Sequence, residues 1–240
     1  MLEHTRLSHS PDGLGLQAKR AVDSVANFSD LPDLLLVERT RGRDTRAFET
    51  LMRRYNRRLY RIARSILSHD DAAEEAVRAA YFRAFANLDR YEPAGKFGAW
   101  LARLAFNEAL ALRRHVPAGT ALTVVQTSSE APAEGTDAVA SRQQLEDAID
   151  ALPEVFRTVL VLRVVEDLSG VEVAVCLGLN ETTVRTRLYR AQQRLKVDVA
   201  RRLRAEPFNI FELTPERCER IVAQVFAKLH TATPVVSESR

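Results

Sequence analysis

Apolar residues recur at helical spacing through most of the chain beyond residue 28. In "FETLMRRYNRRLYRIARSIL" they fall three or four positions apart, which predicts a helix with one buried face. The segments "SHDDAAEEAVRAAYFRAFANL" and "GAWLARLAFNEALALRR" predict a second and a third helix. Ser68 or Asp70 is positioned to cap the second helix, whose first turn is rich in acids. Between these two helices, "DRYEPAGKF" contains a proline and a glycine and predicts a loop.

The helical pattern stops after residue 115 and returns in shorter segments. The interruption, "HVPAGTALTVVQTSSEAPAEGTDAV", is a mixture of small, turn-forming and acidic residues and predicts a linker. A last amphipathic helix is predicted at about 215–229, and we expect its apolar stripe to pack on the second domain. No segment gives a convincing strand, so the predicted fold is all-α, with two helical domains joined by a flexible linker. The predicted divisions are a disordered lead (1–28), a first domain (29–115), the linker (116–140), a second domain (141–204) and a C-terminal helical extension and tail (205–240).

Charge is distributed unevenly along these segments. The net charge of +3 over 240 residues is too small to indicate a partner by itself. However, Arg39 to Arg64 contains ten arginines against two acids, residues 185–204 are also basic, and residues 115–141 contain no lysine or arginine. Two basic blocks separated by such a strip predict two separate contacts with a polyanion.

Several classes of protein are not supported by the residue pattern. Cys176 and Cys218 form no CxxC pair, and the five histidines show no metal-ligand spacing. We therefore expect no metal site, no cofactor and no catalytic residue. The chain has no apolar run long enough to cross a bilayer and no hydrophobic signal core, so we expect a cytoplasmic protein without membrane insertion.

The segment "VEVAVCLGLNETTVRTRLYRAQQRLK" has the spacing of a helix-turn-helix. Gly178 can adopt the positive φ of a tight turn, and the small Ala174, four residues earlier, allows close helix crossing. Asn180 is suited to cap the next helix. In this motif the second helix enters the major groove of DNA.

A helical projection divides that second helix into two faces. Val184, Leu188, Ala191 and Leu195 share a narrow apolar arc. The opposite face is free of acids from Thr182 to Arg190. A merely solvated surface is the alternative interpretation, but it leaves the aligned turn, small residue and cap unexplained. We therefore predict a DNA-recognition helix.

Extended backwards, this region reads "LPEVFRTVLVLRVVEDLSGVEVAVCLGLNETTVRTRLYRAQQRLK" and resembles the −35-binding domain of bacterial sigma factors of the extracytoplasmic-function (ECF) group of the sigma-70 family. "RAFETLMRRYNRRLYRIARSIL" and "GKFGAWLARLAFNEALALRR" resemble the domain of that family that binds core RNA polymerase and the −10 element. The resemblance covers about residues 33–203. It implies a non-enzymatic factor that directs promoter-specific initiation, melts the −10 element and binds core RNA polymerase (β′ and β subunits), promoter DNA and an anti-sigma factor.

The resemblance also implies roles for individual residues. The positions that face −35 bases are Arg185, Thr186, Tyr189 and Arg190, with Arg187 and Arg194 on the flank suited to phosphates. The −10 positions are an exposed Tyr91 and Lys96 in the loop and Trp100, Arg103 and Asn107 on one face of the next helix. Core packing is an equally good interpretation of Trp100 and Phe97. The core polymerase contact is implied at Glu74, Glu75, Arg78 and Arg83.

The linker and the second helix carry further implications of this resemblance. In the family the linker passes through the polymerase cleft, although an inert tether explains its composition equally well. Arg78 and Ala79 stand where relatives usually carry Gln and Glu, in the helix that holds the β′ coiled coil. Loss of an acid and gain of a base predict weaker binding to core polymerase.

Two other functions are compatible with parts of the chain. One is a one-component regulator whose first domain senses a ligand, but that domain is arginine-rich and shows no apolar pocket pattern. The other is a nuclease that uses Asp70, Asp71, Glu74 and Glu75, but helix capping explains acids in a first turn.

Overall fold

The computed structural model describes residues 28–92, 96–115, 136–195, 199, 201 and 210–232. These residues form helices and turns and no strand, which confirms the all-α prediction. The predicted disordered lead, apart from Phe28, and residues 116–135 of the predicted linker lie outside the described residues. The chain divides into two compact units, Met1–Thr50 and Leu51–Arg240.

Nine α-helices are described along these residues. They are α1 (Asp33–Arg41), α2 (Thr45–Leu67), α3 (Asp70–Ala86), α4 (Phe97–His115), α5 (Thr136–Asp150), α6 (Glu154–Leu160), α7 (Gly170–Leu177), α8 (Glu181–Arg194) and α9 (Pro215–Ala232). Short 3-10 turns cover Phe28–Asp30 and Leu88–Arg90, and a π-helical turn, Val161–Val165, continues α6. α5 begins inside the segment predicted as linker, at Thr136.

The first unit contains α1 and the beginning of α2. The helical periodicity is interrupted between them, where Arg43 has a φ of 66° and Asp44 Oδ1 accepts a hydrogen bond from the Arg46 backbone N–H at 3.0 Å. The side chains of Leu36 and Phe48 are buried in this unit. The Phe28 ring lies under the guanidinium of Arg46, 4.6 Å from its carbon.

Small residues bring α3 and α4 close together in the second unit. Ala73, Ala76, Ala80 and Ala84 on α3 are fully buried, as are Ala102, Ala105 and Ala109 on α4. Side chains of this size allow the two helix backbones to approach closely. Tyr81 is buried beside α2, and its hydroxyl donates to the Met52 carbonyl at 3.0 Å. This packing fixes the outward face of α3.

The predicted cap of α3 is wrong. α3 begins at Asp70 after His69, and neither Ser68 nor Asp70 caps it, because Ser68 adopts a φ of 59° and Asp70 is already helical. The Asp70 carboxylate instead accepts from Arg64 Nε at 3.0 Å. The acids of the first turn therefore bind arginines of other helices.

The predicted packing of the C-terminal helix is also wrong for most of its length. The segment that leads into it reaches the second domain, where the Phe211 backbone N–H donates to Glu146 Oε1 on α5 at 2.8 Å. α9 itself packs on α3. The reason is electrostatic as well as apolar, because α9 carries arginines that face the acids of α3.

Ion pairs join α2 to the segments that follow α4. Glu166, after the π-helical turn, accepts from Arg58 Nε at 3.0 Å and from Arg61 Nη1 at 3.2 Å. Arg64 donates both of its terminal nitrogens to Asp150, at 3.1 and 2.9 Å. Arg58, Arg61 and Arg64 of the first basic block thus bind carboxylates of this chain, and the polyanion contact of that block stays a prediction.

Candidate DNA and polymerase interfaces

The turn between α7 and α8 has the geometry that the sequence predicts. Ser169 and Glu172 form a reciprocal capping box at the start of α7. Gly178 ends α7 with a φ of 65° and a ψ of 37°, a left-handed conformation that costs glycine little. Asn180 Oδ1 accepts from the Thr183 backbone N–H at 2.7 Å and caps α8. The helix-turn-helix prediction is confirmed in its backbone.

α8 presents one polar face to solvent. Val184 and Ala191 are buried against α6 and α7, so the opposite side of the helix faces outward. The four candidate base-contacting residues on that side are exposed, namely Arg185, Thr186, Tyr189 and Arg190. Tyr189 is 61% exposed, which is unusual for a tyrosine without a partner surface.

The two flanking arginines differ in their surroundings. Arg187 is half-buried, and Arg194 is exposed. The guanidinium carbon of Arg194 lies 5.1 Å from the centre of the Phe156 ring, a cation–π contact that restricts the side chain. Both are placed at the border of the polar face, where a DNA backbone passes when a helix lies in the groove.

The expectation of an exposed Tyr91 is wrong. Its side chain is only 6% exposed, and its ring lies 5.3 Å from that of Phe97 and 5.0 Å from that of Trp100. The Tyr91 ring meets that of Phe97 edge to face and that of Trp100 at a tilt, and packing against both rings buries more apolar surface than a solvated loop position allows. Phe97 is also buried, so core packing is the correct interpretation of Phe97, while Trp100 is half-buried.

The remaining −10 candidates lie on the accessible side of the same region. Lys96 is 83% exposed, and its Nζ lies 2.9 Å from Glu172 Oε1 on α7. The hydrogen bond from Lys96, followed by those from Ser169, lowers the pKa of Glu172 to about 2. Arg103 and Asn107 are exposed on α4, and residues 93–95 of the loop lie outside the described residues. Lys96, Trp100, Arg103 and Asn107 therefore form an accessible polar and aromatic surface, supported from below by Tyr91.

The four candidate polymerase contacts on α3 and its surroundings differ in accessibility. Glu75 and Arg83 are exposed; Glu75 accepts from Arg78 Nη2 at 2.5 Å, and Arg83 Nε lies 2.6 Å from Glu108 Oε1 on α4. Arg78 is half-buried. The Glu74 side chain is only 3% exposed, because Arg217 and Arg220 of α9 cover its carboxylate. These two arginines were not among the predicted contacts, although two arginines spaced by three on an amphipathic helix indicate a charged face.

The alternative of a metal-dependent nuclease finds no geometric support. Arg217 pairs with Asp70, Asp71 and Glu74, so a guanidinium occupies the position that a cation would take. Among the described residues no group of three histidine, cysteine or acidic side chains could hold a metal ion. Within the same residues no helix is both long and apolar enough to cross a membrane.

The fold and the two surfaces define a helix-turn-helix protein of the transcription machinery. Residues 51–116 match the family description "Sigma-70 region 2", and residues 142–195 match "Sigma-70, region 4". The chain is 30% identical to the ECF RNA polymerase sigma factor SigW of Bacillus subtilis over 67% of this chain and 92% of that protein. It is 26% identical to the ECF sigma-E factor of Escherichia coli K12 over 68% of this chain and 92% of that protein.

Two solved structures share the fold. CnrH, in complex with the cytosolic domain of CnrY, is 26% identical with a TM-score of 0.52 and covers 68% of this chain and 94% of its own. The sigma factor RpoE of Bartonella quintana, in complex with the anti-sigma factor NepR, is 22% identical with a TM-score of 0.52 and covers 66% of this chain and 97% of its own. The chain belongs to the ECF group of sigma-70-family RNA polymerase sigma factors. It is a transcription initiation factor that directs core polymerase to promoters, and not an enzyme.

Proposed function

We propose that this sigma factor reads the −35 element with α8, contacts the melted −10 element through the surface around Lys96, and binds core polymerase through α3. In this proposal residues 29–115 act at the −10 element and the polymerase, residues 141–204 act at −35, and residues 116–140 connect them. The observation that carries the proposal is the exposed face of α8 from Thr182 to Arg190, which carries no acid, in a capped helix-turn-helix.

The −35 contact follows from the chemistry of that face. Arg185 and Arg190 can each donate two parallel hydrogen bonds to a guanine edge in the major groove. Thr186 and Tyr189 add apolar contact that suits a thymine methyl. Arg187 and Arg194 flank the face and suit phosphates, which position the helix without reading sequence.

The −10 contact uses a smaller surface. The ammonium of Lys96 suits a phosphate of a single strand, and the half-buried Trp100 offers part of its ring for stacking. Arg103 and Asn107 extend this surface along α4 toward duplex DNA. Tyr91 has a supporting role, because its ring holds Trp100 in place.

We further propose that the protein works in the cytoplasm, where core polymerase and promoter DNA are found, and that an anti-sigma factor restrains it. CnrH, a structural relative, was solved bound to the cytosolic domain of another protein, CnrY, and this supports a protein partner for the present chain. α4, which carries three of the −10 candidates, also packs on α7 of the helix-turn-helix. While these two helices are packed together, the chain can make fewer DNA contacts at once.

The direct test is reconstituted transcription with purified components. Core polymerase supplied with this protein is expected to initiate at a defined set of genomic promoters, and core polymerase alone is not. Mapping transcript starts after overexpression supplies the promoters for this assay. Operator binding by a dimer in the absence of core polymerase, with no initiation, would instead support the one-component regulator.

A second test concerns the unusual residues of α3. We expect Arg78→Gln combined with Ala79→Glu to strengthen core binding, because the change adds an acid and frees Glu75 from its pair with Arg78. An exposed ion pair between the new acid and a basic residue of the polymerase contributes up to about 1 kcal/mol to binding, and more where water is excluded. Competition with a housekeeping sigma factor for limiting core polymerase measures the effect.

The matched control for this variant makes the same two chemical changes elsewhere. Arg114→Gln with Ala151→Glu alters exposed positions outside α3 and is expected to leave competition unchanged. No gain in the α3 variant would mean that the contact uses other residues, and the alignment of α3 with the family would then be rejected.

A further inference from the structure

α9 lies along α3 over most of the length of both helices. Near its beginning, Arg217 and Arg220 bind Glu74, and near its end the Nζ of Lys228 lies 4.5 Å from the centre of the Phe82 ring. The two helices therefore run in the same direction, with contacts spread over about 16 Å of α9 and about 12 Å of α3, given a rise of about 1.5 Å per residue. This is a docked helix and not a single chance contact.

The charges of the two helices are complementary where they meet. Arg220 donates from Nε and Nη2 to the two Glu74 oxygens at 2.9 and 2.7 Å, and Arg217 binds the same carboxylate. Arg217 also lies 3.4 Å from Asp70 Oδ2 and 3.3 Å from Asp71 Oδ1. Charge-assisted, two-pronged hydrogen bonds of this kind fix orientation as well as affinity.

Apolar burial supports the same docking. Ile221, Val222 and Val225 of α9 are buried, while Ala223 and Gln224 on its other side are exposed. At the edge of this contact, Asn56 Nδ2 of α2 donates to Cys218 Sγ at 3.2 Å, and Arg53 binds Glu219 in a two-pronged pair. α9 therefore rests on α2 as well as on α3.

The position of α9 matters because of the role proposed above for α3. Glu74 is one of the candidate polymerase contacts, and its side chain is only 3% exposed beneath Arg217 and Arg220, so another basic partner cannot reach its carboxylate while α9 is docked. We propose that α9 is an intramolecular competitor for the polymerase-binding face of α3, an inference that rests on the proposed function of that face. The surface formed by Asp70, Asp71, Glu74 and Phe82 accepts a basic amphipathic helix, and α9 occupies it until core polymerase displaces it.

A reversible cross-link tests this competition in the full chain. In Asn56→Cys the new thiol lies beside Cys218, so mild oxidation is expected to fix α9 on α2 and α3. Cys176 is buried and serves as an internal thiol that does not react, since burial raises its pKa to about 12. Binding to core polymerase and promoter-directed initiation are measured for the oxidised and the reduced protein, with Asn56→Ser carried through the same oxidation as the control.

The expected result is at least about tenfold weaker core binding in the oxidised form, with recovery on reduction, because a locked helix removes the binding-competent fraction. Equal binding of the two forms, with initiation intact, would overturn the competition and leave the proposed function standing. Failure of the wild type, the reduced variant and the control alike to bind core polymerase would overturn both.

A second variant tests the same inference without a cross-link. Arg217→Gln with Arg220→Gln removes two charges from the contact and is expected to tighten core binding by about tenfold, equivalent to about 1.4 kcal/mol. Ala223→Glu with Gln224→Glu changes the net charge by the same amount on the exposed side of α9 and is expected to have no such effect. A gain in the control, or none in the arginine variant, would contradict the proposal.

Discussion

Replacing Glu166 with Ala is expected to destabilise the packed arrangement of α2 and the second domain by about 3–5 kcal/mol. The Glu166 side chain is 7% exposed and the Arg61 side chain 2%, so the pair is almost fully removed from water. Burial lowers the pKa of Arg61 and the nearby Glu166 raises it, yet an arginine does not lose its proton in a protein. Without Glu166 the guanidinium stays charged and buried, and it loses the carboxylate that it contacts at 3.2 Å, while its hydrogen bond to the Ile210 carbonyl at 3.0 Å remains.

The chain can relieve this cost by separating the second domain from α2, which returns Arg61 to water. We therefore expect Glu166→Ala to increase the radius of gyration in small-angle scattering and to lower the free energy of unfolding in denaturant. Glu166→Gln retains a hydrogen-bond acceptor, so its radius of gyration and its free energy of unfolding should lie between those of Glu166→Ala and those of the wild type. Glu38→Ala, which removes an exposed pair with Arg41 at 2.5 Å, is the control and should cost less than about 1 kcal/mol. Unchanged scattering and stability in Glu166→Ala would show that the pair does not hold the domains together.

Replacing both Arg185 and Arg190 with Ala is expected to abolish promoter preference. Each bidentate contact with a base contributes about 1–3 kcal/mol, so the double variant should lose about 2–6 kcal/mol of −35 affinity. Both side chains are exposed on the polar face of α8 and neither supports the core, so the fold should be unaffected. The experiment uses holoenzyme and titrates duplexes that the wild type selects from a randomised −35 region, together with scrambled duplexes.

Arg187→Ala provides the comparison for that titration. As a phosphate contact, Arg187 should contribute equally to binding of selected and scrambled duplexes. Its loss should reduce the slope of log K against log salt concentration by about 1. If Arg185→Ala and Arg190→Ala, alone and together, left the preference for selected duplexes intact, the recognition face would have to be assigned elsewhere on the domain.

The parts of the structure that follow from local rules were predictable from the sequence. Gly178 and Asn180 define the turn before α8 through their own backbone and side-chain preferences, and the face of α8 follows from its period of 3.6. The burial of Tyr91 was not predictable in this way, because it depends on two rings that only the packed loop and α4 bring together. The position of α9 likewise depends on a partner more than 140 residues earlier, with Glu74 and Arg217 separated by 143 positions.

The direction of α9 on α3 has a consequence for its own helicity. Arg217 and Arg220 lie in the first two turns of α9, the positive end of the helix dipole, where cations are unfavourable. Asp70, Asp71 and Glu74 of α3 lie beside that end and supply the anions that offset both the dipole and the arginines. Once α9 leaves α3 this compensation is lost, and its first turns are expected to unwind. Release then gains chain entropy, while return requires the helix to form again on α3.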